Sequence, residues 1–265
     1  MYYDTAIYWN KAETSGINKD SLLVMQAMTV RGRVLMAALC GKEGETEEYA
    51  SGYLTKGLME WFYDGLPQTL VKRNPMSVIK RHVERRIYKA QCRMYEYAET
   101  HGVECRETED YGVKERGGSL KMTVSVLILW ERKYMLWNFG SNKAYRFPIG
   151  SGVKYPLSGF EIGTVKSKDV FLICSDAFIR RIPENEIADI LAQSKIMDIS
   201  AANKIWDVSA SKGIASISMP NVLSMERCRR RLKEIGKAAM RKGEHGSMSA
   251  VCVRISSRKK KNRTY

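Results

Sequence analysis

Residues 168–178 read KDVFLICSDAF. The first seven, Lys168–Cys174, carry an apolar run that predicts a buried strand. The polar pair Ser175-Asp176 ends that run, and Asp176 suits a cap on the turn behind it. Upstream, Thr123–Trp130 (TVSVLILW) is strongly β-branched and reads as a strand. Lys133–Asn138 (KYMLWN) and Lys143–Phe147 (KAYRF) read as its hairpin partners. Further out, Ser21–Thr29 and Arg33–Cys40 are apolar and strand-like, with Val30-Arg31-Gly32 as the turn between them. Ser249–Ile255 (SAVCVRI) predicts a closing strand.

Helices separate these blocks. Glu47–Tyr63 places Tyr49, Tyr53, Leu54, Leu58, Trp61 and Phe62 near helical spacing, so its aromatic residues are expected in the core. Met76–Glu99 predicts a long amphipathic helix with Pro75 at its start. Glu184–Gln193, opened by Pro183, and the basic Ser224–Lys242 read as two more. Strands in blocks, without regular βαβ alternation, favour an α+β class of antiparallel sheets packed with helices. No internal repeat or low-complexity linker divides the chain. One domain over residues 1–256 is expected, followed by a basic tail, 257–265.

The chain has 265 residues, 44% of them hydrophobic, enough for a real core and against a mainly disordered protein. No run of about 18 apolar residues predicts a transmembrane helix. The first residues, MYYDTAIYWNKAETSG, lack the pattern of a signal peptide. The cytoplasm is therefore the expected compartment. The formal net charge is +15, from 44 Lys+Arg against 29 Asp+Glu. It is unevenly spread: Arg258–Arg263 carries five cations in six positions and Arg227–Arg231 four in five. Such runs read first as solvated faces or loose tails. The rival reading is a nucleic-acid or membrane-surface binder, nonspecific and salt-sensitive. No nucleic-acid motif or interleaved aromatic accompanies the cations. The six cysteines form no CxxC pair. Cys40, Cys174 and Cys252 lie in apolar runs and read as small core hydrophobes, so neither a disulfide framework nor a zinc site is expected.

Five segments, in order, resemble the metal-dependent PP2C (PPM-type) protein phosphatases. Gly16-Ile17-Asn18-Lys19-Asp20-Ser21 is similar to that family's N-E-D-S segment. Leu35 to Ser51 resembles its strand, D-G-x-G-G turn and helix start. Leu136–Tyr145 resembles N-x-G-D-S-R-A-Y, Asp169–Phe178 resembles D-x-F-L-L-x-S-D-G-L, and Gly243–Val253 resembles D-N-x-T-A-x-x-V. The resemblance implies a four-layer α-β-β-α sandwich. It also implies hydrolysis of phosphoserine and phosphothreonine with two Mg²⁺ or Mn²⁺ ions, which neutralise the phosphate and activate a bridging water.

The chemistry-bearing positions depart from that pattern. The metal-binding Glu falls on Lys19, the bridging Asp on Gly41 with Lys42 after it, and the last Asp on Gly246 followed by Ser247. The phosphate-clamping Arg falls on Ser15, and G-D-S-R becomes Gly140-Ser141-Asn142-Lys143. Asp176 is the only retained ligand position, and Asp20 also survives. Four carboxylates thus become one Asp and one Lys, a net charge of zero, and Lys42 makes the cup positive. A single like-charge pair at about 4 Å costs about 4 kcal/mol at an effective dielectric of 20. Hard divalent ions need carboxylate oxygens, so the expectation is no metal and a pseudophosphatase.

Two roles stay open for Lys19 and Lys42. They can fill the place of lost cations beside Asp176 or Asp20, or they can hold a phosphoryl group. If the register slides, Glu43 (with Glu45 beside it) and Glu244 could supply carboxylates to a weak Mg or Mn site with Asp176. His245 is the one histidine near the final motif and reads as a loop residue. The expected function is a non-catalytic binding or regulatory module whose partner is a protein, a Ser/Thr kinase or a phosphoprotein. A weakly active metal-dependent Ser/Thr phosphatase is the alternative.

Overall fold

The computed structural model describes residues 1–12, 16, 18, 20–41, 46–101, 122–148, 155–183, 186–187 and 220–256. Among the described residues, ten strands and five helices follow one another. They are β1 Tyr2–Asn10, β2 Ser21–Thr29, β3 Gly32–Gly41, α1 Thr46–Asp64, α2 Leu66–Leu70, α3 Pro75–Thr100, β4 Thr123–Trp130, β5 Lys133–Phe139, β6 Lys143–Phe147, β7 Tyr155–Leu157, β8 Gly159–Thr164, β9 Val170–Cys174, α4 Asp176–Ile179, α5 Pro220–Arg241 and β10 Met248–Ser256. Two five-stranded sheets form, in the orders β1-β10-β9-β6-β7 and β2-β3-β4-β5-β8. Every pairing is antiparallel.

Side-chain alternation explains the layers. In β3, Leu35, Ala37 and Leu39 face the other sheet and meet Phe171, Ile173, Val251 and Val253. Met36, Ala38 and Cys40 point the opposite way, onto Leu54, Leu58 and Phe62 of α1 and Ile79, Val83 and Ile87 of α3. The first sheet buries its outer face likewise: Leu172, Cys174, Ala250 and Cys252 pack on Phe178 of α4 and Leu232, Ile235 and Ala239 of α5. The result is the expected α+β, four-layer α-β-β-α sandwich. A strand buried on both faces has no polar side to show, so β3, β4, β9 and β10 read as continuous apolar runs.

Four differences from the sequence expectation have physical reasons. β1, rich in tyrosine, threonine and other β-formers, was not expected as a strand; it is an edge strand whose far half is only partly buried. β7 and β8 were also not expected; β8 is partly exposed along its length. The strand expected from Lys168 begins instead at Val170, because Lys168 has a φ of 75° and sits in a turn. Asp169, fully buried, closes that turn: its Oδ2 accepts from the Lys166 N–H at 3.0 Å and from Arg146 Nη2 at 2.8 Å. Finally, Tyr53 is not core: it is 37% exposed and lies 5.9 Å beneath Arg93. Trp61 and Phe62 are buried as expected. The helix expected over 184–193 lies mostly outside the described residues, as does the tail 257–265. Among the described residues no helix is long and apolar enough to cross a membrane.

Candidate functional site

Strand register brings the described ones among the sequence-predicted positions to one end of the sandwich. In one sheet Asn10 pairs with Met248, and Cys174 faces both Ala250 and Lys143. In the other, Ser21 pairs with Cys40, Gly41 with Thr123 and Val124 with Phe139. The end of β1, the starts of β2 and β10, the end of β3, the β5–β6 turn and the β9–α4 junction therefore share a rim.

Buried polar side chains tie this rim together. Asn18 Nδ2 donates to the Asn10 carbonyl at 2.8 Å and to Ser249 Oγ at 3.0 Å. Its Oδ1 accepts from the Asp20 N–H at 2.9 Å, an Asx turn that launches β2. Ser249 and Ser175 bond reciprocally: the Ser249 N–H donates to Ser175 Oγ at 3.0 Å and the Ser175 N–H to the Ser249 carbonyl at 2.9 Å. Asn142 Nδ2 crosses between sheets to the Leu39 carbonyl at 3.0 Å. Gly140, with a φ of 79°, lets the β5–β6 turn lie against Thr123; a Cβ there would meet Thr123 Cα at 2.8 Å. The described part of the rim is thus held by uncharged groups.

Two carboxylates of the rim, Asp176 and Glu244, are arranged around a guanidinium. Asp176 opens α4, which follows β9. One turn later Arg180 brings Nε to 3.7 Å from the Asp176 carboxylate. The same guanidinium grips Glu244 as a fork, with Nη2 at 3.0 Å from Oε1 and Nε at 3.2 Å from Oε2. Glu244 Oε1 also accepts from the Gly246 N–H at 3.0 Å, and Arg181 stands 4.0 Å away. Burial pushes the Glu244 carboxyl up, but the hydrogen bonds from Arg180 and Gly246 and the charges of Arg180 and Arg181 outweigh it. The group is held below its ordinary 4.5. Glu244 also keeps Arg180 protonated, raising an already high value mainly through that hydrogen bond.

The expected residues divide as follows. Gly41 ends β3, and a Cβ there would contact Thr123 Cγ2 at 3.4 Å and Asn142 Oδ1 at 3.5 Å. Gly246 precedes β10; a Cβ there would lie 3.0 Å from Glu244 Oε1 and 3.9 Å from Arg180 Nη2. Asp20 faces Cys40, whose thiol is pushed up to about 12 by burial and then by that carboxylate. Cys174 is raised by burial and by Asp176. Burial and raised pKa values both disfavour the thiolate at these two cysteines. His245 is exposed. Ser15, Lys19, Lys42, Glu43 and Glu45 lie outside the described residues.

Among the described residues, Asp176 and Glu244 do not make up a two-ion centre. Among the described residues no group of three His, Cys, Asp or Glu is close enough to hold a metal. Asp176 and Glu244 instead flank a guanidinium. Arg180 was missing from the sequence expectation. Its i,i+4 spacing from Asp176 was visible, but its link to Glu244 spans 64 residues. Beside this corner a cavity of about 460 Å³ opens between the β5–β6 turn and the β7–β8 strands, lined by Asn138, Gly140, Asn142, Lys143, Tyr145 and Leu157.

No family model matches the chain, and no curated protein does. Solved structures match it. The Mycobacterium tuberculosis serine/threonine phosphatase PstP/Ppp aligns with a TM-score of 0.61 at 12% identity, covering 97% of this chain and 100% of that one. The serine/threonine phosphatase Stp1 from Staphylococcus aureus gives 0.63 at 13%, over 97% and 96%. PppA, described as a key regulatory component of T6SS in Pseudomonas aeruginosa, gives 0.60 at 15%, over 96% and 98%. The PstP catalytic domain is also known in complex with two manganese ions. Over nearly its whole length, this chain is similar in structure to bacterial serine/threonine phosphatases of PP2C type and carries their fold.

Proposed function

We propose that this chain is a pseudophosphatase: a PP2C-like domain that binds rather than hydrolyses, acting as a non-catalytic or regulatory module in Ser/Thr phosphorylation signalling. One observation carries the reading. The Arg180 guanidinium, forked onto buried Glu244 and facing Asp176, places a permanent cation beside the one retained ligand position. A divalent ion brought to Asp176 would meet that charge at close range. A guanidinium is a hydrogen-bond donor and not a Lewis acid, so it cannot coordinate a water and lower its pKa as a metal does.

The ligand class follows from the cations around the rim. Lys143 lines the cavity beside the corner. In the sequence Lys19 falls on a metal-ligand position of the resembled family and Lys42 follows another, Gly41, so both are candidates for further positive charge. A phosphoryl group on a protein partner, a Ser/Thr kinase or its phosphorylated substrate, suits such a rim.

The test has two readouts. With p-nitrophenyl phosphate and millimolar Mn²⁺, hydrolysis is expected at background and unchanged by Asp176→Asn. Turnover that Mn²⁺ stimulates and Asp176→Asn abolishes would replace this reading with a weakly active Ser/Thr phosphatase. Binding of phosphoserine peptides, followed by calorimetry, is expected to weaken in the Lys19→Ala, Lys42→Ala double variant. Unchanged affinity would remove the phosphate-holding role from the two lysines.

A further inference from the structure

The fold sorts the residues of α5 between two sides. Leu232, Ile235 and Ala239 turn inward onto the outer face of the sheet. Gly236 lets the helix settle against β1, since a Cβ there would overlap the Tyr8 ring. These contacts fix the rotation of the helix about its axis. Arg229, Arg230, Lys233, Lys237 and Arg241 are then all exposed, and Glu234 is the one acid exposed between them. Steps of three and four residues line up Arg230, Lys233, Lys237 and Arg241 over about 16 Å of helix, with a cation every ~5–6 Å. Among the described residues, Arg229, Arg230, Lys233 and Lys237 take part in no ion pair.

We propose that the outward face of α5 docks the phosphodiester backbone of a double-stranded nucleic acid, without regard to its sequence. This surface belongs to the outer layer and is separate from the cavity between the β5–β6 turn and the β7–β8 strands. The complementarity is one of charge. A duplex carries a negative charge per ~1.7 Å of its axis, and each phosphate met by Lys or Arg releases condensed counterions. Arginine adds forked hydrogen bonds to phosphate oxygens. A duplex fits better than a single strand, because α5 contains no aromatic residue on which an unpaired base could stack. It fits better than a lipid surface, because an interfacial helix sinks an apolar face among acyl chains. The apolar face of α5 is on the sheet, and Met240, 38% exposed, is its one exposed large apolar side chain among the described residues. An acidic protein partner would need an apolar centre that this stripe of cations does not offer.

The full-length protein is titrated into fluorescein-labelled duplexes of about 20 base pairs, one of DNA and one of RNA, and anisotropy is followed from about 50 to about 200 mM KCl. Binding is expected to weaken steeply with salt, and the tighter duplex names the polymer. Changing Arg230, Lys233, Lys237 and Arg241 together to Gln should weaken binding at least about tenfold and make the slope of log K against log salt shallower by about 3–4. Lys233→Gln with Lys237→Gln should fall midway. Circular dichroism checks that each variant is folded. Changing Lys72, Arg73, Arg81 and Arg85, exposed on the opposite flank, to Gln removes the same charge and should leave most of the binding. Several results would overturn the proposal: no binding by the wild type, an equal loss in the opposite-flank variant, or binding that survives the four α5 changes and disappears on deleting residues 258–265. Capture by phosphatidylserine vesicles without binding to either duplex would overturn it too.

Discussion

Replacing Arg180 by alanine would leave the Glu244 carboxylate, 4% exposed, with the Gly246 N–H as its remaining close donor and Arg181 at 4.0 Å. Breaking a fully buried ion pair from one side costs about 3–5 kcal/mol. Losing an exposed one costs about 0.2–1 kcal/mol. The Arg180 side chain is 55% exposed, so solvent screens the pair. The loss should fall between these limits, at about 1–2 kcal/mol. The pH dependence gives a second handle. Glu244 is held below 4.5 in the folded protein, so its contribution is complete above that value. It is lost as the pH falls through 4.5 towards the folded-state value. In Arg180→Ala burial meets less opposition, and the gap between variant and wild type should close in acid. Urea unfolding followed by circular dichroism, at about pH 7 and about pH 3, measures both effects. Arg180→Lys keeps the charge and loses the fork, so it should lie between wild type and alanine. Equal stability of wild type and Arg180→Ala at neutral pH, or a gap that persists undiminished in acid, would refute the claim that this cation anchors the corner.

Two more consequences can be measured the same way. Asp169→Ala removes the buried carboxylate that Arg146 and the Lys166 N–H share; a loss of about 3 kcal/mol is expected, and a loss below about 1 kcal/mol would mean the turn holds without it. Gly140→Ala forces a left-handed side-chain residue (φ 79°) against the Thr123 backbone, so unfolding stability should fall by about 2–4 kcal/mol; wild-type stability would contradict so close an approach of the turn to Thr123.

The sequence was most readable where burial is two-sided. β3, β4, β9 and β10 carry apolar residues on both faces, and such runs announce a strand without any alternation to count. It was least readable at the edges. β1 and β8 mix polar and apolar residues because solvent takes part of each, and their partners stand far away in the chain. The site shows the same division. Asp176 could be placed from its own neighbours, since a strand ends at Cys174 and a helix starts at once. Glu244 reads in sequence as a substitute ligand, but its partner is not legible locally: Arg180 lies 64 residues upstream, and only the fold joins them. Asn142 and Ser249 were ordinary polar residues in sequence. Their work, bridging one sheet to the other and one loop to the next, exists only once the strands are in register.

The pairing of β1 with β10 has a consequence for how the chain is made. Sheet β2-β3-β4-β5-β8 is drawn from residues 21–164, and its first four strands neighbour one another in chain order. It can assemble while synthesis is still under way. The other sheet must wait for β10. Tyr2 finds its carbonyl's partner, Ser256, 254 residues later, and β10 stands between β1 and β9. Until β10 leaves the ribosome, the opening strand has no neighbour, and Leu35, Leu39 and Leu127 lack the facing layer that Val251 and Val253 provide. Long-range closure of this kind is slow and leaves apolar surface uncovered. A chain truncated before Met248 and released from the ribosome should therefore be bound by chaperones, and one that includes β10 should not.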